Sequence, residues 1–336
     1  MEVWRLQVNT GEDSIAEYCI ENNVAAMGWS LKELSESERK NIKNIKTFED
    51  YCKYADKVYK SYASVKRLKE QVKENDIIWM HSRKEGKYYF GRVKKESKWI
   101  FNSEAAEKKD AGNQLTNIDW YEASTRADEE SVPGAIATAF IKGSTLQRIN
   151  KDGVKEYSQL LYNKMHDPEK EQFTYEKPNL CLDKHFYMLL SPSDVEDLLA
   201  LWLYAEKGYV CIPSTNKIAT AKYECVLVDP NKKIKKRKHI YIQVKKGKVD
   251  LKASDYVNLA KDGNEVYLLT TEGIVEDADK YKNITAVNPD KIYKFATAPE
   301  YNGVNEVIPK NIIPEHVLYW IEFLSEIENS NKADNN

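Results

Sequence analysis

The sequence is poor in the residues that build covalent and metal frameworks. Its five cysteines, Cys19, Cys52, Cys181, Cys211 and Cys225, are odd in number and far apart, with no CxxC pair. That spacing excludes a disulfide scaffold and a structural zinc knuckle, and it fits a reducing, cytoplasmic setting. His81, His166, His185, His239 and His316 are equally scattered, so no histidine metal cluster is legible. Neither GxxxxGK[ST] nor GxGxxG occurs, which removes the positive signs of an NTPase or dinucleotide site. No apolar run approaches the ~20 residues of a membrane span, and no membrane contact is expected. The first six residues show no basic segment ahead of an apolar one, so no signal peptide is expected. An excess of one charge is missing too: 51 basic residues face 53 acidic ones, for a net of −2. A positive field over the whole chain is excluded, and contact with a polyanion must come from a local patch.

What is present suffices for real cores. Hydrophobic residues make up 42% of the chain, and 22 Tyr, 7 Trp and 8 Phe argue against disorder. At roughly 100–200 residues per domain, the 336 residues predict two domains. Residues 1–150 read as the first. It holds a strand over 4–8, a helical stretch over 48–72 with apolar residues near period 3.6, and a hairpin of 76–80 with 88–93 around Gly86. Further short strands fall at 98–101 and 118–120. Short strands with interposed helices predict a small curved sheet or partly open β-barrel. Residues 151–181 are polar and predict a helical linker. Residues 182–300 predict an α/β unit: Ser191-Pro192-Ser193-Asp194 starts a helix, Gly208 ends it, and β-rich runs follow at 209–212, 223–228, 239–244 and 265–270. Residues 301–336 predict an amphipathic helix and a polar tail. The expected class is therefore α+β and α/β.

One constellation carries chemistry. Side chains alternate along a strand, so Gln243 and Lys245 share a face while Ile240, Ile242 and Val244 form the apolar one. Glu224 sits in the preceding β-rich run, where a carboxylate is costly without a partner or metal. If the two strands are neighbours, a carboxylate, an amide and an ammonium converge. Phosphodiester hydrolysis uses such groups: Mg²⁺ takes one or two carboxylates and keeps several waters, and a lysine beside it stabilises developing negative charge.

The order helix-Glu, Gly-Tyr, strand acid, Gln-x-Lys resembles the PD-(D/E)XK nuclease superfamily, most of all its Mrr-type restriction endonucleases. The likeness spans about residues 182–271. It implies a mixed sheet flanked by helices, with Glu196 reaching the metal through water, Glu224 and Gln243 as metal ligands, and Lys245 as the catalytic lysine. Mg²⁺ is the implied cofactor, with Mn²⁺ as a substitute. Two departures stand out: Glu224 occupies the usual place of an aspartate, and Ile218-Ala219-Thr220-Ala221-Lys222-Tyr223 replaces a glycine-rich lead. From 231 to 248 the chain carries Lys232, Lys233, Lys235, Lys236, Arg237, Lys238, Lys245, Lys246 and Lys248 with no acid. Lys235, Lys236, Arg237 and Lys246 are expected phosphate contacts beside that site.

The first domain has its own pattern. Ala25-Ala26-Met27-Gly28-Trp29, Asp76-Ile77-Ile78-Trp79, Tyr88-Tyr89-Phe90-Gly91-Arg92-Val93 and Gly112-Asn113 with Trp120 resemble the EVE/PUA-like domains, relatives of the YTH readers. That resemblance implies recognition of a modified base, held by stacking on aromatic side chains. Trp29 and Trp79 are the leading cage residues, with Trp99 and Trp120 behind them. Ser82 is placed at the base edge and Arg83 at a phosphate. The combined expectation is a modification-dependent, type IV-like restriction endonuclease acting on double-stranded DNA in defence against foreign DNA. Cutting both strands calls for a homodimer, and a separate ATPase partner is compatible with the missing P-loop. The rival expectations are a non-catalytic modified-DNA or RNA binder on a degenerate nuclease fold, and an RNA-directed enzyme.

Overall fold

In a computed structural model the chain divides into two compact units, Met1–Pro178 and Asn179–Asn336. The structure describes residues 1–8, 15–123, 132–167, 173–176, 179–213, 215, 222–232 and 237–333. Both units mix helices and sheets, so the molecule is α+β. Among the described residues no helix is long and apolar enough to cross a membrane.

The first unit runs β1 (Val3–Leu6), α1 (Ile15–Glu21), β2 (Val24–Met27), α2 (Glu36–Arg39), α3 (Phe48–Val58), α4 (Ala63–Glu70), β3 (Ile77–Ser82), β4 (Lys87–Val93), β5 (Trp99–Phe101), α5 (Ser103–Lys109), β6 (Asn113–Thr116), β7 (Ile118–Glu122), α6 (Gly134–Ala139), β8 (Leu146–Arg148) and α7 (Val154–Met165). Its strands pair as two sheets, β7-β4-β3-β1-β8 and β2-β6-β5, and among the described residues they do not close into the expected barrel. The two sheets share one apolar core, because alternate residues such as Ile78 and Met80 of β3 turn to the side where Ala25, Met27 and Leu115 lie. Gly91 lets the sheets meet: a Cβ there would stand 2.6 Å from the Trp120 ring, whose Nε1–H donates to the Val24 carbonyl at 3.0 Å.

Two expectations change here. The helical stretch over 48–72 is two helices, broken where Tyr59 turns extended and anchors its hydroxyl on Glu33 and on the Leu31 amide. The expected linker helix is part of the first unit. In α7, Val154, Tyr157, Ser158 and Tyr162 are buried, and Ser158 accepts a hydrogen bond from Trp79 Nε1 at 3.0 Å.

The second unit runs α8 (Leu182–Leu189), α9 (Pro192–Lys207), β9 (Val210–Cys211), β10 (Cys225–Val228), β11 (His239–Lys245), β12 (Leu251–Lys252), β13 (Glu265–Thr270), β14 (Val275–Glu276), β15 (Ile284–Val287), α10 (Pro289–Thr297), β16 (Tyr301–Asn302), β17 (Glu306–Val307) and α11 (Glu315–Ala333). The main sheet is β15-β13-β11-β10-β9. β11, β13 and β15 are parallel, and β10 is antiparallel to both neighbours. Ser191 and Asp194 close a capping box on α9 with Pro192 in its first turn, and Gly208 ends the helix at φ 72°. The C-terminal segment is no separate piece. His316 Nε2 meets Asp194 Oδ1 at 2.7 Å, and Trp202 Nε1 donates to the Tyr301 hydroxyl at 3.0 Å.

Candidate functional site

The strand register brings the polar residues of the second unit together. Cys225 pairs with Ile242 across the antiparallel β10–β11 ladder, so Glu224 falls opposite Gln243, and the Glu224 amide donates to the Ile242 carbonyl at 2.8 Å. Gln243 Nε2 donates to Glu224 Oε1, and Lys245 Nζ lies 3.1 Å from the same oxygen. The Glu224 and Lys245 side chains keep partial exposure, at 24% and 39%. A solute can therefore reach this pair. Gln243 is 1% exposed, and its Oε1 has no hydrogen-bond partner among the described residues. A buried carbonyl oxygen left without a donor costs about 1–3 kcal/mol, which a bound cation or water would offset.

Glu196 comes from α9, which packs on β11. Burial, then the negative charges of Glu224 and Asp197, push its carboxyl up to about 7, against the pull of Lys245. Tyr256 is buried in a core with Leu251, Val266 and Leu268. Its phenol is pushed up by burial, then by Asp255 and Glu224. Among the described residues no three His, Cys, Asp or Glu side chains form a metal cage. The oxygens at hand are the Glu224 carboxylate and the Gln243 amide oxygen, with Glu196 near enough to feel the Glu224 charge. That suits a hard dication, which takes few protein oxygens and keeps its waters.

The basic run is only partly described. Lys235 and Lys236 lie outside the described residues, Arg237 is exposed just ahead of β11, and Lys246 follows Lys245.

The expected base cage does not form as a set. Trp79 is fully buried, its Nε1–H is used by Ser158, and its ring stacks with Tyr157 at 6.4 Å. It faces α7, whereas its neighbours Ile78 and Met80 face the core shared with Trp29. Trp79 is therefore a packing residue. Trp120 is half-buried and joins the two sheets, as described above. Ser82 is 1% exposed with an unpartnered Oγ, and Arg83 is exposed in the next turn.

Tyr51 touches the Trp29 backbone and the Trp99 ring, while the Trp29 indole N–H donates to the Ser61 carbonyl at 3.1 Å. The Tyr51 hydroxyl donates to the Trp29 carbonyl at 2.9 Å, and its ring centroid lies 5.7 Å from that of Trp99. Trp29 is half-buried and holds φ 56°, with Leu31 at φ 60°. Bulky residues rarely adopt such angles, and they persist only where the surroundings enforce them. Here Asn113 Nδ2 donates to the carbonyls of Gly28 and Trp29. Two buried polar atoms in this cluster lack partners among the described residues: the donor Trp99 Nε1 and the acceptor Asn113 Oδ1. Asn113 and Tyr51 were missed as site residues. The legible signal was Asn113 itself, an amide at an inward strand position beside Gly112.

Fold and site together define a two-unit α+β protein with a carboxylate–amide–lysine cluster in its second unit. A family model described as Domain of unknown function (DUF8426) matches residues 4–140. Neither the curated proteins nor the solved structures contain a significant match to the chain.

Proposed function

We propose that the chain is a modification-dependent DNA endonuclease that hydrolyses phosphodiester bonds with Mg²⁺, or Mn²⁺ in its place, in defence against foreign DNA. In this reading the second unit is a PD-(D/E)XK-type nuclease domain and the first is an EVE/PUA-like reader. The observation that carries it is the convergence of Gln243 and Lys245 on one oxygen of Glu224, with the Gln243 carbonyl buried and unpartnered. The element order around it supports the same reading: helix α9, the antiparallel β9, β10 and β11, then a crossover to the parallel β13.

Glu224 and the Gln243 carbonyl would hold the cation, with Glu196 beside them. Bound there, a dication supplies Lewis acidity to the scissile phosphate and lowers the pKa of an attacking water. The chain's own groups do the rest. Lys245 holds a positive charge next to the carboxylate, where negative charge grows on the phosphoryl oxygens. Glu196, on α9 beside Glu224, would orient a water of the cation's shell. The water oxygen bonds to phosphorus, one P–O bond breaks, and the leaving oxygen takes up a proton.

In the first unit, Trp29 and Trp99 are the stacking residues, and the unpartnered Trp99 Nε1 donor and Asn113 Oδ1 acceptor are groups of the kind that meet a base edge. Cutting both strands needs two such sites, so two copies act together on double-stranded DNA.

The test is digestion of a panel of duplexes carrying methylated, hydroxymethylated or plain bases, with Mg²⁺ and with chelator. Cation-dependent cleavage of at least one modified duplex supports the proposal. Binding without cleavage on every substrate supports a non-catalytic binder instead.

A further inference from the structure

The first unit has a second polar feature, remote in sequence from the aromatic cluster. Two cavities, of about 340 and 460 Å³, flank the sheet-edge strand β8 and share Gln147, Arg148 and Asn150 as walls. Arg5, Lys142 and Lys151 line the first, and Arg67 and Trp4 line the second. Among the described residues no Asp or Glu lines either one.

Arg5 is 1% exposed, and its guanidinium donates only to neutral oxygens: the Ala139, Lys142 and Ser144 carbonyls and Gln147 Oε1. Its Nε–H has no partner among the described residues. Among the described residues, then, a buried cation lines the cavity without a carboxylate to balance it. Burying a charge so placed is costly, and an anion in the cavity would offset that cost. Arg5 also fixes the wall, since its four acceptors come from residues 139–147. Gly143, at φ 126°, leaves room for this: a Cβ there would stand 2.7 Å from Arg5 Nη2. Arg148 lies over the Trp4 ring at 5.0 Å and 3.5 Å from Glu2, so its charge is held beside the opening.

We infer that the two cavities along β8 form a phosphodiester-binding groove that seats the sugar-phosphate backbone of DNA. The groove has the chemistry that positions a duplex without reading its sequence: spaced cations and amide side chains along one strand. The inference rests on the DNA reading of the whole chain and extends it. It locates backbone contact at β8 in addition to the basic run near 237–246.

The experiment measures binding of a fluorescein-labelled 20-base-pair duplex to the full chain by anisotropy across a salt series. Single-stranded DNA and inorganic phosphate serve as competitors. Lys142→Glu with Lys151→Glu alters two exposed groove residues. Lys43→Glu with Lys46→Glu makes the same change of net charge elsewhere on the first unit. The groove predicts that the first pair weakens binding on the order of tenfold or more at 0.1 M salt and reduces the salt slope by about two. The second pair changes both far less. Equal losses from the two pairs, or no loss from the first, overturns the groove while leaving DNA binding intact. Absence of duplex binding by the unaltered chain overturns the DNA reading as well. Inorganic phosphate competing at a concentration equivalent to the duplex phosphates would mark a free-anion site and also overturn the groove.

Discussion

The tryptophans of the first unit and the charged cluster of the second were the two strongest functional signals, and they end differently. Trp79 and Trp120 spend their polar tips inside the fold, on Ser158 and on the Val24 carbonyl. Glu224 and Lys245 keep partial exposure, and Gln243 keeps an unused buried oxygen. An aromatic side chain is a core filler first and a binding surface second, so its presence at a strand end says little. A carboxylate beside an amide and a lysine can be an ion pair alone, and what marks this one is the unused buried oxygen of Gln243. An unpartnered buried polar atom separates Trp99, with Asn113, from Trp79 and Trp120; Gln243 of the second unit shares that property, as do Arg5, Gln7 and Ser82 of the first.

The comparison can be broken by substitution. Trp79→Ala removes a wholly buried ring and should cost about 3–5 kcal/mol of unfolding free energy, read by denaturant titration. A loss under about 1 kcal/mol would mean that Trp79 is not a packing residue.

Glu196 gives the next effect. Its carboxyl keeps its proton up to about 7 when folded but ionises near 4.5 when unfolded. The folded chain therefore binds more protons between those values. The stabilisation is fully present below about 4.5 and is lost as pH rises through about 7. Glu196→Gln removes that loss. Because the side chain is partly solvated, the gain at pH 8 is about 1–2 kcal/mol. At pH 4 the variant and the parent should be nearly equal, and a pH series of melting temperatures checks both.

Trp29→Ala sharpens the contrast with Trp79. It should weaken binding to the preferred modified duplex by about 1–3 kcal/mol, with a smaller stability loss than Trp79→Ala. Equal weakening on plain and modified DNA would remove it from base reading.

The smallest stability effect is expected at Gln243→Leu. Taking out the unpartnered Oε1 balances the lost bond to Glu224, so stability should change by less than about 1 kcal/mol. The rise in melting temperature on adding Mg²⁺ to the parent should vanish in the variant. A rise that persists would show that the Gln243 carbonyl is no ligand.

The residues that made the second unit legible were local ones. Ser191 with Asp194, and Gly208, mark the two ends of α9 by capping chemistry alone, and period-2 alternation puts Gln243 and Lys245 on one face. Pairing of β10 with β11 then had to be assumed, since register is a long-range property that no local pattern encodes. The first unit hid more. Nothing in residues 59–62 signals a helix break, because Tyr59 is held by tertiary bonds to Glu33 and Leu31 and no Gly or Pro is present. The polar surface of α7 concealed Tyr157, Ser158 and Tyr162, the stripe that packs behind Trp79. Alternation in β3 was enough to separate Trp79 from its neighbours, but which face held the main core could be read only from the assembled sheets.

The most direct test sets the unaltered chain beside Lys245→Ala on a supercoiled plasmid carrying the preferred modified base, with Mg²⁺. The account predicts nicking by the parent, a loss of about 10²–10⁴-fold in the variant, and equal DNA binding by both. Nicking by Lys245→Ala at the parental rate would contradict it.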